Sequence, residues 1–202
     1  MKRPLLLILP AVIPTVLVLG VALTMGAAQS LGLAPVTGQS SASLDAYAAV
    51  MASGDLWSAI SISVSVAIAA TCIALVVGFA TALAATSTKR GGRILTGLAA
   101  STIPVPHVIG AAAIGLLLAD SGWLARLFGA DSESWPQFVA GPWWLAVIME
   151  YAWKESAFVA LVVITTLARD AVALSDTAAV LGASATARIR HISLPLASPA
   201  LV

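Results

Sequence analysis

Residues 57–85 read WSAISISVSVAIAATCIALVVGFATALAA, a run without a single charged side chain. A membrane-spanning helix needs about 20 mostly apolar residues, because it rises about 1.5 Å per residue across roughly 30 Å of hydrocarbon. Three further stretches meet that length: Leu5 to Ala27, Ile94 to Ala119, and a fourth from just after Pro142 to Leu167. The fourth is unusual in carrying Glu150, Lys154 and Glu155. Over the 202 residues, 60% are apolar and 9% charged, with a mean hydropathy of +1.01. Soluble domains run roughly 45–50% apolar and about 25% charged, so this chain lacks the side chains for a polar shell. Disordered chains are poor in apolar residues and rich in charge, which excludes that class too. The expected fold is all-α and membrane-embedded.

The charges orient the spans. Lys2 and Arg3 precede the first; Lys89, Arg90 and Arg93 fill the link between the second and third; Arg169, Arg188 and Arg190 follow the fourth. The opposite segments, 28–56 and 120–142, hold Arg126 beside Asp45, Asp55, Asp120, Asp131 and Glu133. The positive-inside rule then predicts a cytoplasmic N-terminus, a cytoplasmic segment 168–195, and outward-facing 28–56 and 120–142. Trp57, Trp123, Trp135, Trp143 and Trp144 all fall near predicted outer ends, as an interfacial aromatic belt would place them. The start, Met1-Lys2-Arg3 before an apolar run with Gly26-Ala27-Ala28, has signal-peptide character. Its apolar stretch exceeds the usual 7–15 residues of a signal h-region, so segment 1–27 reads as an uncleaved first span. Leu44 to Met51 and Trp123 to Phe128 read as short helices within the outer segments. No internal repeat is evident.

Several function classes drop out. The net charge is +1 with no basic stripe, which argues against nucleic-acid binding. Cys72 is the single cysteine, so no internal disulfide and no cysteine-based metal site can form. No His/Asp/Glu cluster has metal-ligand spacing. No glycine-rich phosphate loop or nucleophile motif is present, so no cofactor is expected and any ATP must bind on another chain.

Residues 168–195 read ARDAVALSDTAAVLGASATARIRHISLP. Ser175 is a candidate helix N-cap, with Asp176 at the positive end of the helix dipole. Thr177 to Leu181 continue that helix, and Gly182 can close it in a left-handed conformation. A second short helix fits Ser184 to His191, and Leu194-Pro195 restarts the chain, proline being tolerated in a first turn. The expected product is a helix–glycine–helix elbow.

This segment resembles one in the permease subunits of type I ATP-binding-cassette importers. Those carry a Glu-Ala-Ala start, a glycine after three residues, and Ile-x-Leu-Pro nine residues later. Here Asp176-Thr177-Ala178 is followed after three residues by Gly182, and after nine more by Ile192-Ser193-Leu194-Pro195. Asp176 stands for Glu and Thr177 for Ala; Asp keeps the charge on a shorter stem. The resemblance extends over roughly residues 55–202 and includes Trp153-Lys154, with Ala157 where many relatives have proline. It implies a multi-span helical bundle in a bacterial inner membrane. It also implies that Asp176, Thr177, Ala178, Gly182, Ile192, Leu194 and Pro195 dock into a groove on a cytoplasmic ATPase. The implied partners are two ATPase subunits, a second permease (identical or related) and an extracytoplasmic solute-binding protein. Relatives continue through further spans after the Leu-Pro, so the resemblance implies a chain that stops early, with 196–202 starting a further span. The stretch Ile103 to Gly110 is closer to polyamine, iron(III), thiamine and sulfate importers than to sugar ones.

Within the spans, Glu150 and Lys154 are four apart and share a helix face, so they are expected to pair. A charge at the bilayer centre costs about 2.5–3.5 kcal/mol, which puts such a pair against protein or water. Two roles are open, a pathway or gate element and a structural tie. Pro104 and Pro106, inside the third stretch, each remove a backbone donor. Broken helices line transporter sites but also serve packing, and His107 beside them reads as a packing residue. A different reading of the same charges is a proton-coupled secondary transporter using Glu150, Lys154 and Glu155. A membrane enzyme would want clustered Asp or His at the surface, and a bare anchor would have no reason to carry the 176–195 spacing.

Overall fold

The computed structural model describes residues 3–34 and 41–201. Met1, Lys2, residues 35–40 and Val202 fall outside it, as do the side chains of residues 3–7, Lys89 and residues 168–170, Arg169 and Asp170 among them. Every regular element among the described residues is helical: α1 (Arg3–Ser30), α2 (Asp45–Ala52), α3 (Gly54–Ser87), α4 (Lys89–Thr102), α5 (His107–Leu118), α6 (Trp123–Leu127), α7 (Leu145–Val180), α8 (Ala185–Arg188) and α9 (Leu194–Leu201). A π-helical turn, Ile189–Ser193, joins α8 to α9. Three stretches are long and apolar enough to cross a membrane: Ile8–Ser30, Gly54–Ser87 and His107–Leu127. A fourth is Leu145–Leu167 with Ala171–Val180, if these two segments, which meet at 67°, form one span. The protein is therefore an all-α, membrane-embedded chain.

Two compact units divide between Ile62 and Ser63. In the first, Val18 and Leu23 of α1 are 68% and 73% exposed, a surface suited to lipid rather than water. Pro10 and Pro14 sit inside α1. Its end is closed by Gly32 at φ +72°: Gly32 N–H donates to Gln29 O at 3.0 Å and Leu33 N–H to Ala28 O at 2.8 Å. This is the paired closure of a Schellman turn. Tyr47 of α2 donates back to Ser30 Oγ at 2.7 Å.

The second unit is organised around α7. Along α3, Ala70, Ala74, Gly78 and Ala82 recur every fourth residue and are buried. Small residues at that spacing form one flat stripe, which lets helix backbones approach closely in a membrane. A β-carbon on Gly78 would lie 2.6 Å from Val159 Cβ and 2.8 Å from the Ser156 carbonyl oxygen, so α3 and α7 touch almost backbone to backbone there. Ala82 continues into a core with Val163, Leu167, Ala171 and Ala197, which brings α9 back against α7. Ala157 and Ala160 pack against Ala99 of α4.

The third stretch departs from the expected single helix over 94–119. It is broken at residues 103–106 into α4 and α5. Pro104 and Pro106 have no N–H, so the carbonyls of Ala100 and Thr102 lose their helical donors. The helix stops, makes a turn (Val105 N–H to Thr102 O, 3.1 Å) and restarts at His107. After α6, Asp131 accepts from the Ser134 N–H at 2.8 Å. Hydrogen bonds from Ser134 hold its carboxyl below the usual range. Trp135 is more than a belt residue: its indole N–H donates to Leu118 O at 2.8 Å, closing the end of α5. Its ring lies between Phe128 and Phe138, at centroid distances of 6.4 and 5.6 Å.

Candidate functional site

Two constellations carry polar chemistry. The first is the break between α4 and α5. Glu150 and Lys154 do not pair with each other, contrary to expectation. Lys154 Nζ donates to the carbonyls of Thr102 (3.4 Å), Ile103 (3.2 Å) and Val105. Glu150, only 4% exposed, places Oε1 3.0 Å from His107 Nδ1, in the first turn of α5. The reason is the dipole of the broken helix. The carbonyl end of α4 is partially negative and attracts the ammonium, while the N–H end of α5 is partially positive and favours the carboxylate. One turn of α7 thus supplies a cation to one side of the break and an anion to the other.

His107 extends the cluster. Its Nε2 lies 4.0 Å from Glu155 Oε1, so the imidazole stands between two carboxylates. Tyr151 packs beside it with ring centroids 5.4 Å apart. Gly110 makes the approach possible, since a β-carbon there would meet Glu150 Oε1 at 3.0 Å and Trp153 at 3.2 Å. Pro104 and Pro106 create the break; neither is itself a polar contact. His107, read from sequence as a packing residue, belongs to the polar cluster. The signal for this was its position just past the second proline, where a restarted helix exposes its first turn.

The second constellation is the elbow. Gly182 closes α7 at φ +88°. Gly182 N–H donates to Ala179 O at 3.0 Å and Ala183 N–H to Ala178 O at 2.9 Å. This is the same motif that ends α1. Ser184 then caps α8 by accepting from the Ala187 N–H at 3.2 Å. Two details differ from the sequence reading. Ser175 is not an N-cap, because α7 runs unbroken in secondary structure through it to Val180. Asp176 consequently sits in the C-terminal half of a helix, away from the positive dipole end. The return helix is also not one α-helix over 184–191; it passes through the π turn before Leu194 and Pro195 begin α9.

The structure gathers part of the expected set. Thr177, Ala178, Ile192 and Pro195 line one groove of about 430 Å³. Asp176 faces a different cavity, and Gly182 stands in open space, with nothing within 4 Å of an added β-carbon. At the tip, Val180 and Leu181 are 88% and 83% exposed. No side-chain set among the described residues could hold a metal ion. No protein-family model matches this chain, and no curated protein matches it.

Proposed function

We propose that the chain is a transmembrane subunit of an ATP-driven solute importer in a bacterial inner membrane. In this reading the elbow transmits motion from a separate ATPase to the spans. The observation that supports it best is the elbow itself. A glycine-closed helix end presents two bare apolar side chains, Val180 and Leu181, the latter in the wall of a groove that Thr177, Ala178, Ile192 and Pro195 also line. An apolar knob at a rigid turn suits a partner's groove, because a preformed turn loses little conformational freedom on docking. Two ATPase subunits, a second permease and an external binding protein complete the proposed assembly, and the ATPases perform the chemistry.

The test is ATP hydrolysis by the assembled complex, stimulated by its binding protein. Gly182→Val strains the left-handed turn by about 1–2 kcal/mol and should abolish most of the stimulation while leaving membrane insertion intact. Unchanged stimulation in a normally assembled complex would remove the elbow from the coupling route. Orientation is tested separately in a Cys72→Ala background. In intact cells an impermeant thiol reagent should label Ser43→Cys and spare Ser87→Cys; the reverse pattern would invert the topology.

One observation favours a second reading, proton-coupled transport: His107 stands between Glu150 and Glu155. Uptake that continues without ATP and collapses with the proton gradient would select it.

A further inference from the structure

A cavity of about 980 Å³ lies among the α3–α4 link, α7 and the α8–π-turn segment, all within the second unit. Its lining includes Arg93 and Arg188 against one carboxylate, Asp176. Among the described residues neither arginine has a carboxylate within salt-bridge distance. Arg188 Nη1 donates to Ser175 Oγ at 3.2 Å. Among the described residues the Nε of the same guanidinium has no hydrogen-bond partner and is shut off from solvent. A buried charged donor left unsatisfied is costly, so an anion in the cavity that drew the guanidinium round toward it would relieve that cost.

The start of α4 adds to the demand. Thr88, also in the lining, is its N-cap residue with extended backbone and no side-chain capping bond. The first turn holds Lys89 and Arg90 and no acidic residue. Cations at the positive end of a helix are unfavourable, and free N–H groups there attract anions. Arginine adds paired, planar donors that match phosphate oxygens. Leu83 gives the same cavity an apolar wall.

We propose that this cavity binds a net-anionic phosphate group, drawn either from the headgroup of an anionic lipid or from free phosphate. Basic pockets between membrane helices take phospholipid headgroups for this reason. The inference rests on the membrane-embedded fold and not on the importer reading.

The test uses the purified full chain in detergent. Phosphatidylglycerol and phosphatidylcholine are added in parallel and bound lipid is counted by native mass spectrometry. Inorganic phosphate is compared with chloride at equal ionic strength by thermal unfolding. Phosphatidylglycerol should be retained over phosphatidylcholine, and Arg188→Gln or Arg93→Gln should weaken it about fivefold each, the equivalent of one basic contact near a membrane. Arg93 is solvent-exposed, so its variant reports on binding even if Arg188→Gln fails to fold. Stabilisation by inorganic phosphate without lipid preference, lost in the same variants, supports the site with free phosphate as its source. No preference and no stabilisation would overturn the proposal, as would binding that both variants retain in full.

Discussion

Replacing Lys154 by Met should cost about 3 kcal/mol or more of stability, because it strips the donor from carbonyls that each cost roughly 1–3 kcal/mol when left unsatisfied away from water. These are the carbonyls of Ile103 and Val105 after α4; the third, Thr102 O, keeps the Val105 N–H as a donor. Thermal unfolding in detergent, with the yield of monodisperse protein, measures the loss. The companion double change, Glu150→Gln with Lys154→Met, decides the arrangement. If the two residues neutralised each other, removing both would restore stability. With Lys154 on the α4 carbonyls and Glu150 on His107, the double variant should be at least as unstable as Lys154→Met alone. Recovery in the double variant would show a direct pair and refute the dipole-matched break.

Gly78→Leu should be the next most damaging change. With Val159 and the Ser156 carbonyl under 3 Å from any added β-carbon, the side chain can be seated only by separating α3 from α7. Overpacking costs about 1–3 kcal/mol even for small insertions, and here backbone blocks one side. Gly78→Ala should show a smaller loss of the same sign, partly recovered by Val159→Ala. Gly115→Ala in α5 is the matched control, since nothing lies within 4 Å of its added carbon; it should be neutral or slightly stabilising. Unfolding temperatures of the four variants in one detergent make the comparison. A Gly78→Leu protein as stable as the parent would mean that α3 and α7 do not cross there.

What the sequence reveals depends on whether a signal lies in one segment or between two. Apolar length is a property of each segment, so the run at 57–85 and its neighbours are legible directly. Gly182 is legible because a glycine after a helical run marks a left-handed closure. The partner of Lys154 is not, because a carbonyl acceptor has no residue type and leaves no letter behind; Glu150 four residues away offered a visible and wrong partner. Pro104 and Pro106 were visible, yet apolar residues on both sides favoured reading one continuous span over two helices. Ser175-Asp176 has the letters of an N-cap, but Ala171 to Leu174 keep the preceding helix going, and cap chemistry has no effect where no helix begins. The stripe Ala70, Ala74, Gly78, Ala82 was readable at period four and marks the face of α3 that meets α7. The proposed link of the elbow to an ATPase rests on the resemblance of residues 176–195, since a docking surface is defined by a partner the chain does not contain.

The π turn at Ile189–Ser193 sets an angular phase between the elbow and α9. In an α-helix each residue advances about 100° around the axis, and a π turn accommodates one residue beyond the α-helical count. The side on which Arg188 emerges relative to Ala197, which is fully buried against α7, is therefore fixed by how many residues lie between them as much as by which ones. Sequence changes within the turn that keep its π hydrogen bonding leave Arg188 aimed at Ser175. Loss of one residue would turn it into an ordinary α turn with the phase kept, whereas tightening it to α bonding at full length would swing Arg188 by about 100°.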